Sequence, residues 1–398
     1  MKVEIVKFDN NGRGIGYIND KIIFVPKTVP GDIVEIEIVL DKKKFYEGKL
    51  IDIINPSKLR KKAICPYFDK CGGCDLMNIS LSDSLEYKLN KVNDIFRKSK
   101  IDYEVSEIIK SEPYNYRDKV SLKIIDEKIG FYQNDSHELV EINYCYLCKE
   151  AINSIIKDLN VLNVKNGEIT IRANYNDDIL LSINTLDKIE NIDKLVANHK
   201  IIGIVKNNEC IYGEDYFIDK INNYLFKVSF NSFFQINPFI CSKLFELIEE
   251  YTLASTNVLD LYCGVGTLSI VASKSASRVL GIEIVDNAIF DANLNKNLNK
   301  KTNLDFICAD TKNILDKITH EYDTIILDPP RSGVAKDVLD KINIVKPTTI
   351  IYVSCNPITL ARDLNLLEKN YNIENMKLLD MFPETEHVES IVVLQEKK

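Results

Sequence analysis

Apolar and polar residues alternate with a period of two through the first 55 residues of the chain, as in VEIVKF, KIIFVP and DIVEIEIVL. Glycines at positions 12, 14 and 16 and the pair Pro30-Gly31 separate these runs. Alternation at this period places apolar side chains on one face of a strand, and short strands with glycine-containing breaks favour a closed sheet. The pattern predicts a small antiparallel β-barrel over residues 1–55.

A helical period follows in residues 81–99, where five apolar residues fall on one side of a helix: Leu85, Leu89, Val92, Ile95 and Phe96. From about 104 to 230 the period returns to two, in runs such as VSLKII, EITIRA and ILLSIN. From about 231 onward strand and helix patterns alternate strictly, which indicates a parallel α/β sheet. We therefore predict a multidomain chain with a barrel at 1–55, a strand-rich α+β middle domain at 56–230 and an α/β domain at 231–398.

Charge and cysteine content narrow the classes of function. The formal net charge of -8 argues against a protein that covers nucleic acid by bulk electrostatics, although residues 1–62 hold 13 Lys and Arg against 9 Asp and Glu. Contacts with nucleic acid should therefore be local, for example at 42–44 or 60–62, whose lysines and arginine equally suit a solvated rim. The chain shows no secretory signal and no run of eighteen apolar residues, yet it contains ten cysteines. We expect a cytoplasmic protein without membrane association, whose thiols are reduced.

A glycine-containing turn follows the first strand of the α/β part. Strand NVLDL leads into the segment from Tyr262 through Gly264 to Gly266, a turn in which a ligand can approach the backbone. Glu283 ends the next strand, where a carboxylate can accept the hydroxyls of a ribose, and Asp310 follows the third, near an adenine edge. These positions predict a nucleoside-binding crevice that favours S-adenosylmethionine over NAD. The alternative is that the glycines only form a tight turn.

The fourth strand of the α/β part ends in Asp328-Pro329-Pro330-Arg331. Two prolines restrict the backbone, so that the Asp328 carboxylate points into the same crevice. Methyltransferases that modify exocyclic amines carry an aromatic residue at the position of Arg331, where it stacks on the base. The arginine therefore indicates a different chemistry, one that needs its own nucleophile.

Cys355 ends the fifth strand, IIYVS, and a helix opens after it at Pro357. The helix amides should lower the pKa of the thiol and raise its thiolate fraction. A thiolate that adds to carbon 6 of uracil makes carbon 5 nucleophilic enough to accept a methyl group, after which a base must remove the proton from carbon 5. Glu389, before the final strand, is the candidate base, with His387 beside it. The alternatives are a core cysteine, a solvated acid at 389 and a histidine without a catalytic role.

These motifs together resemble the RNA uracil-5-methyltransferases. The matching segments are FFQIN, DLYCGVG, GIE, LDPPR, SCNP and the terminal H-x-E-S, in order from 235 to 390. The resemblance implies a Rossmann-like, S-adenosylmethionine-dependent domain in which Cys355 is the nucleophile and Glu389 the proton acceptor. Six residues would bind the donor or line the base site: Gln235, Tyr262, Gly264, Glu283, Asp310 and Asp328. Either Phe233 or Phe234 would stack on the extruded uracil, or belong to the core.

The resemblance extends to the amino-terminal two thirds. Residues 1–55 resemble a TRAM barrel, an RNA-binding module of the OB type, and the helix at 81–99 resembles a segment that packs on the catalytic domain. Four cysteines supply the ligands of a [4Fe-4S] cluster or a structural zinc, and the family favours the cluster, in a structural role: Cys65, Cys71, Cys74 and Cys145. Cys148 is the alternative fourth ligand. The remaining cysteines are interpreted as buried apolar residues: Cys210, Cys241, Cys263 and Cys308.

The predicted activity is methylation of carbon 5 of one uridine in structured RNA. The TRAM domain and the cluster cysteines favour 23S ribosomal RNA, with transfer RNA as the alternative substrate. Arg117 and Lys119 are candidate phosphate contacts, or else part of a solvated strand edge. A noncatalytic RNA-binding or assembly factor is the alternative class of function, and we expect the protein to be a monomer.

Overall fold

The structure, a computed structural model, describes residues 1–134 and 136–397, without the side chains of 315–317. Its amino-terminal part is a six-stranded sheet in the order β1-β5-β6-β4-β3-β2, with strands β1 (Lys2–Glu4), β2 (Lys7–Phe8), β3 (Gly14–Ile18), β4 (Lys21–Val25), β5 (Ile33–Asp41) and β6 (Phe45–Asn55). The apolar residues of the alternating pattern, such as Ile23 and Val34, form a core of their own. The predicted antiparallel arrangement is wrong for one pair, since the long β5–β6 hairpin brings β6 parallel to β4.

Helix α1 (Leu81–Lys98) begins at Ser80, whose hydroxyl accepts a hydrogen bond from the Asp83 amide at 3.1 Å. Such a cap satisfies one of the free amides of the first turn. The buried side of the helix, including Val92 and Phe96, packs into the same core as the strands of the carboxyl-terminal sheet. Helix α1 therefore lies against the carboxyl-terminal domain, although the chain continues from it into the middle domain.

The middle of the chain forms a seven-stranded sheet in the order β10-β9-β8-β11-β12-β13-β14. Its elements, together with β7, which pairs elsewhere, are β7 (Ile108–Ile109), β8 (Lys119–Ile125), β9 (Lys128–Tyr132), β10 (Leu139–Glu141), α2 (Glu150–Ile156), β11 (Gly167–Ala173), β12 (Ile179–Asn184), α3 (Ile192–Asn198), β13 (Ile201–Lys206) and β14 (Glu209–Gly213). A short 3₁₀ helix, Leu159–Leu162, follows α2. Helices α2 and α3 pack with the sheet in one core, in agreement with the predicted strand-rich α+β domain.

The carboxyl-terminal sheet has eight strands in the order β19-β18-β17-β20-β21-β23-β22-β7. A separate hairpin, β15 (Tyr216–Ile221) and β16 (Tyr224–Ser229), precedes it. The remaining elements are α4 (Pro238–Tyr251), β17 (Asn257–Leu261), α5 (Thr267–Ala272), β18 (Arg278–Glu283), α6 (Asp286–Leu298), β19 (Leu304–Cys308), the 3₁₀ segment Thr311–Lys317, β20 (Thr324–Leu327), α7 (Lys336–Val345), β21 (Thr349–Ser354), α8 (Pro357–Leu367), β22 (Tyr371–Leu379) and β23 (Glu389–Glu396).

Strands β17 to β21 are parallel, as the sequence predicts, so their carboxyl ends meet at one edge. The prediction of strict alternation fails at the end of the chain, because β22 continues directly into β23 without a helix. Strand β23 inserts between β21 and β22 and is antiparallel to both. In the part of the chain that the structure describes, no helix has the length and apolar character needed to cross a membrane.

Candidate active site

Cys355 and Glu389 lie next to each other at the edge of the carboxyl-terminal sheet. Strands β21 and β23 are antiparallel, and Ser354 pairs with Ser390 as their last register pair. One residue beyond this pair, Cys355 directly faces Glu389, and residues opposite each other in such a pair have Cα atoms about 4.5–5.5 Å apart. The thiol is partly exposed and not sealed in the core, whereas Glu389 is only 3% exposed. A nucleophile and a carboxyl group thus share one rim position.

The environment of Cys355 differs from the prediction. Burial, together with the charges of Glu389 and Asp328, raises the pKa of the thiol to about 11, and only Arg331 among the nearby side chains opposes this shift. The expected lowering of the pKa by helix α8 is therefore wrong. The amide of Ile358 donates to the Asn356 side chain at 3.1 Å, so this first-turn donor is already satisfied. Arg331 becomes the one cationic side chain identified near the sulfur.

The Glu389 carboxyl group experiences a similar environment. Burial raises its pKa well above the usual value, the charge of Asp328 adds to the shift, and Arg331 opposes it. Burial also raises the pKa of Asp328 to about 7. A carboxylate with a raised pKa is a stronger base, which suits a group that must take a proton from carbon.

The turn after β17 borders an open crevice at the same edge. Gly264 has φ +54°, and a Cβ atom built on it would meet nothing within 4 Å. Gly266 has φ +81°, but its Cβ would lie 2.5 Å from Cζ of Phe306. The first glycine therefore leaves room above the backbone for a ligand, whereas the second allows close packing.

The predicted donor-binding side chains converge on this crevice from successive strands. The amide of Gly264 donates to Glu283 at 3.1 Å, and the hydroxyl of Thr311 donates to that of Tyr262 at 3.3 Å. Asp310 is partly exposed just after β19 and accepts the Lys312 amide at 3.0 Å. Because β19, β18 and β17 are neighbours in the sheet, Asp310, Glu283 and Tyr262 lie side by side along its edge, in the reverse of their order in the sequence.

Sequence reasoning assigned no separate role to Asp260, in the middle of the apolar strand NVLDL. Its side chain is fully buried, and burial raises its pKa to about 7 although Ser269 donates a hydrogen bond to it. Its Oδ1 has no hydrogen-bond partner among the described residues. An acidic residue within an apolar strand was the signal that could have identified it.

The segment before α4 distinguishes the two candidate stacking residues. Phe234 is 5% exposed and packs on Phe226 with ring centroids 5.6 Å apart, so it belongs to the core. Phe233 is 73% exposed. Gln235, the predicted donor-site or base-site residue, is partly exposed beside them.

Three cationic residues of the middle domain lie close to this segment and form a cationic cluster: Arg117, Lys119 and Arg172. Arg172 is 4% exposed and donates to the backbone oxygen of Ser232, while its Nε lacks a partner within the described residues. Burial, together with the charges of Arg172 and Arg117, lowers the pKa of Lys119 to about 8. None of the three forms an ion pair in the described part of the chain, although the buried Asp118 lies nearby. The cluster therefore retains uncompensated positive charge.

The four predicted ligand cysteines line a single cavity within the middle domain: Cys65, Cys71, Cys74 and Cys145. Cys148, the alternative ligand, is fully buried and does not line it. Among residues 1–134 and 136–397, no group of three or more His, Cys, Asp or Glu side chains is arranged around one metal-ion position. The structure thus brings the four thiols to one cavity without arranging them around a single metal-ion position among the described residues.

Lys27 of the barrel contacts the turn that carries two of these cysteines. Its ammonium group donates to the backbone oxygens of Cys71, at 3.1 Å, and Cys74, and lies 4.4 Å from the ring centroid of Phe68. Lys27 thus connects the barrel to the turn that lines the cysteine cavity. Two of the cysteines interpreted as buried are in fact exposed, Cys210 and Cys308, because both lie on strands at a sheet edge.

The fold and the sheet-edge residues define a class, a methyltransferase-type α/β domain joined to two strand-rich domains. A family model described as tRNA (uracil-5-)-methyltransferase matches residues 80–397, and a TRAM domain model matches residues 1–51. The chain belongs to the tRNA (uracil-5-)-methyltransferase family and carries a TRAM domain.

Individual relatives agree with this assignment. An RNA methyltransferase of Clostridium tetani is 35% identical over 98% of this chain and 95% of its own length, and one of Aquifex aeolicus is 31% identical over 100% and 99%. The solved structure of Pyrococcus abyssi tRNA (uracil-54, C5)-methyltransferase in complex with S-adenosyl-L-homocysteine matches with a TM-score of 0.81 and 25% identity, over 98% of this chain and 99% of that one. The predicted family, fold class and enzyme class, an S-adenosylmethionine-dependent RNA methyltransferase, are confirmed.

Proposed function

We propose that the protein methylates carbon 5 of a specific uridine in structured RNA, with Cys355 as nucleophile and Glu389 as proton acceptor. The observation that supports the proposal is the register of β21 and β23, whose last pair, Ser354–Ser390, is followed on one strand by Cys355 and preceded on the other by Glu389. A uracil ring that enters between them would present carbon 6 to the sulfur and carbon 5 to the carboxylate.

The bond changes balance as follows. The thiolate of Cys355 bonds to carbon 6, and the electrons of the carbon 5–carbon 6 double bond move into the ring as an enolate. Carbon 5 then takes the electrophilic methyl group that S-adenosylmethionine supplies. Glu389 removes the proton from carbon 5, the double bond reforms, and the carbon–sulfur bond breaks to return the thiolate.

Charge at the rim fits this sequence of events. The thiol has a pKa of about 11 in the free protein, so most of it is protonated at neutral pH. Arg331 lies where it stabilises the anionic forms of both Cys355 and Glu389. An extruded base would enter this site and be activated there, which ties nucleophile formation to substrate binding.

The methyl donor would occupy the crevice above Gly264. The Glu283 carboxylate accepts hydrogen bonds from three backbone amides, those of Gly264, Ile284 and Val285. A carboxylate has about four acceptor sites, so about one remains to accept a ribose hydroxyl. The other predicted contacts are Gln235, Tyr262, Asp310 and Asp328. Their positions along successive strand ends support this assignment.

RNA would contact the TRAM barrel and the partly exposed Arg117 and Lys119 of the cationic cluster, whose third member, Arg172, is buried. Phosphate oxygens supply the negative charge that this cluster lacks, and phosphate contacts position RNA without reading its sequence. Phe233, with its exposed ring, is the candidate to stack on a base.

The cysteine cavity would hold a [4Fe-4S] cluster through Cys65, Cys71, Cys74 and Cys145, with zinc as the alternative. Four thiolates from two separate segments would fix the fold of the turn at 71–76. The reaction itself involves no electron transfer, so the cluster has a structural and RNA-positioning role in this proposal.

23S ribosomal RNA stays our predicted substrate, and transfer RNA is the second candidate. The Pyrococcus enzyme, a transfer-RNA methyltransferase, matches 98% of this chain, so the amino-terminal domains alone do not separate the two. Incubation of the protein with each RNA, followed by mass mapping of methylated fragments, distinguishes them.

The release of tritium from RNA labelled at uracil carbon 5 tests the reaction. Wild-type protein should release tritium in step with methyl incorporation, and Cys355→Ser should release none. If wild-type protein binds RNA yet releases no tritium, it is a noncatalytic RNA-binding factor.

A further inference from the structure

Nine residues, 380–388, connect β22 to β23. Distant parts of the chain contact this connection along its length. This β22–β23 connection begins just after Leu379 and ends at Glu389, and these two residues are register partners. Because the connection leads directly into Glu389, its conformation decides where that carboxyl group lies. The contacts along it are therefore relevant to proton removal.

Helix α1 makes the first set of contacts through two lysines. The ammonium group of Lys88 lies 2.6 Å from Asp380 and donates to the Phe382 backbone oxygen at 2.9 Å. Lys91, one turn further on, donates to the Glu386 backbone oxygen at 2.9 Å and forms an ion pair with its side chain. Both ends of the connection are thereby attached to the same helix.

The turn at 71–76, which carries Cys71 and Cys74 and is called the cysteine turn, makes the second set of contacts. The amides of Asp75 and Leu76 donate to the Glu384 backbone oxygen at 3.0 and 3.1 Å, and the amide of Glu386 donates to the Asp75 side chain at 3.2 Å. Asp75 immediately follows Cys74, which lines the cysteine cavity. The turn is therefore bound to the middle of the connection.

The connection itself has features that only such contacts would maintain. Glu384 is 3% exposed and has φ +64°, a left-handed conformation that costs a non-glycine residue energy. Lys88 and Asp380 are 0% and 1% exposed in their side chains. A buried ion pair is rarely worth more than apolar side chains of the same size, so its best-supported use is to specify one arrangement.

We propose that Lys88, Lys91 and Asp75 are positioning residues, which hold the β22–β23 connection so that Glu389 faces carbon 5 of the substrate. This inference rests on the proposed role of Glu389. The cysteine turn, through Asp75 and Leu76, thereby links the cavity of the four cysteines to the proton-removal step. None of the three residues touches the reacting atoms.

The test uses full-length Lys91→Met, because Lys88→Met would leave Asp380 as a buried unpaired charge and could prevent folding. Glu386 keeps a second partner in His387, 2.9 Å away, so Lys91→Met should fold. Asp75→Ala, which removes the acceptor of the Glu386 amide, serves as an independent second variant. Lys91→Arg is the conservative variant, and Lys123→Met, which breaks an ion pair with Glu168 in the middle sheet, is the control.

Single-turnover assays separate the two halves of the reaction. Lys91→Met and Asp75→Ala should transfer the methyl group at a rate within about twofold of wild type but release tritium about 10- to 100-fold more slowly, since small displacements of a catalytic group have effects of this size. A covalent protein–RNA adduct that survives denaturing electrophoresis should accumulate. Lys91→Arg should restore release, and Lys123→Met should behave as wild type.

The failure of this inference and that of the proposed function have different signatures. RNA that contains 5-fluorouridine lacks the proton that Glu389 removes, so wild-type protein and both variants should form the stable adduct with it equally. If wild type forms no adduct, the proposed function fails. If all form it, but Lys91→Met and Asp75→Ala release tritium as wild type does, or lose methyl transfer and release in parallel, the positioning role is wrong.

Discussion

Cys355 and Glu389 face each other one residue beyond the Ser354–Ser390 pair, at the open ends of two antiparallel strands. The proposed nucleophile and the proposed proton acceptor thus come from adjacent strands whose spacing the sheet determines. In the proposed reaction, bond formation at carbon 6 and proton loss at carbon 5 are separate steps with methyl transfer between them, so separate substitutions should stop the reaction at different points.

Glu389→Gln should trap the intermediate that Cys355→Ser prevents. The amide keeps the size of the side chain but accepts no proton, so the methylated adduct should form and persist. We expect turnover to fall about 10²- to 10⁴-fold, the usual contribution of a general base. Gel electrophoresis under denaturing conditions should show the protein–RNA adduct for Glu389→Gln and none for Cys355→Ser. Equal absence of adduct in both variants would contradict the assigned roles.

The rate should increase with pH across the neutral range. Burial, with smaller contributions from neighbouring carboxylates, raises the pKa of both Cys355 and Glu389, and both groups act in their deprotonated forms. Less of each active form is present at low pH, so kcat/KM should rise as pH rises. Arg331→Met removes the charge that opposes these shifts and should move the rising limb to higher pH. A pH profile of tritium release checks this, and an unchanged limb in Arg331→Met would contradict it.

A comparison of Gly264→Ala with Gly266→Ala distinguishes an effect on ligand binding from an effect on core packing. Both positions have positive φ, so either alanine should cost about 1–2 kcal/mol of unfolding free energy. Gly266→Ala should cost about 1–3 kcal/mol more, because its Cβ meets Phe306 at 2.5 Å. Gly264→Ala meets no atom but projects into the crevice, so it should weaken binding of S-adenosylhomocysteine. Urea unfolding and calorimetric titration should therefore rank the two variants in opposite orders.

Sequence patterns identified the strands that form this site, but not their order. A crevice at the carboxyl ends of parallel strands could be predicted from three short apolar runs and the residues that follow them: VLDL, VLGIE and TIIL. Insertion of β23 between β21 and β22 follows from contacts across the sheet, which local patterns do not contain. The pKa of Cys355 was mispredicted for a similar reason, since the sequence shows the helix that follows but not the burial. Lys88 and Asp380, 292 residues apart, left no local signal of their pairing.

Glu386 should contribute to stability in a pH-dependent way. Burial alone would raise its pKa, but the hydrogen bond with His387 and the charge of Lys91 lower it to about 2. Since the folded-state pKa lies below the ordinary glutamate value of 4.5, this contribution is complete above pH 4.5 and is lost as pH falls toward about 2. Urea unfolding of Glu386→Gln should show lower stability than wild type at pH 6 and a smaller difference near pH 3. Glu86→Gln, an exposed substitution on α1, should match wild type at both values.

Substitution of the cavity cysteines tests the metal centre and its fourth ligand together. Cys145 lines the cavity and Cys148 does not, so Cys145→Ser should lose the bound metal whereas Cys148→Ser should retain it. Anaerobically purified wild type should contain about four iron and four sulfide per chain and absorb in the visible range, as expected for a [4Fe-4S] centre with four thiolate ligands. Stoichiometric zinc without visible absorbance would show that the site holds zinc and not a [4Fe-4S] cluster. Equal metal loss in both variants would contradict the choice of Cys145, because a ligand and a buried neighbour should differ when only one of them reaches the cavity.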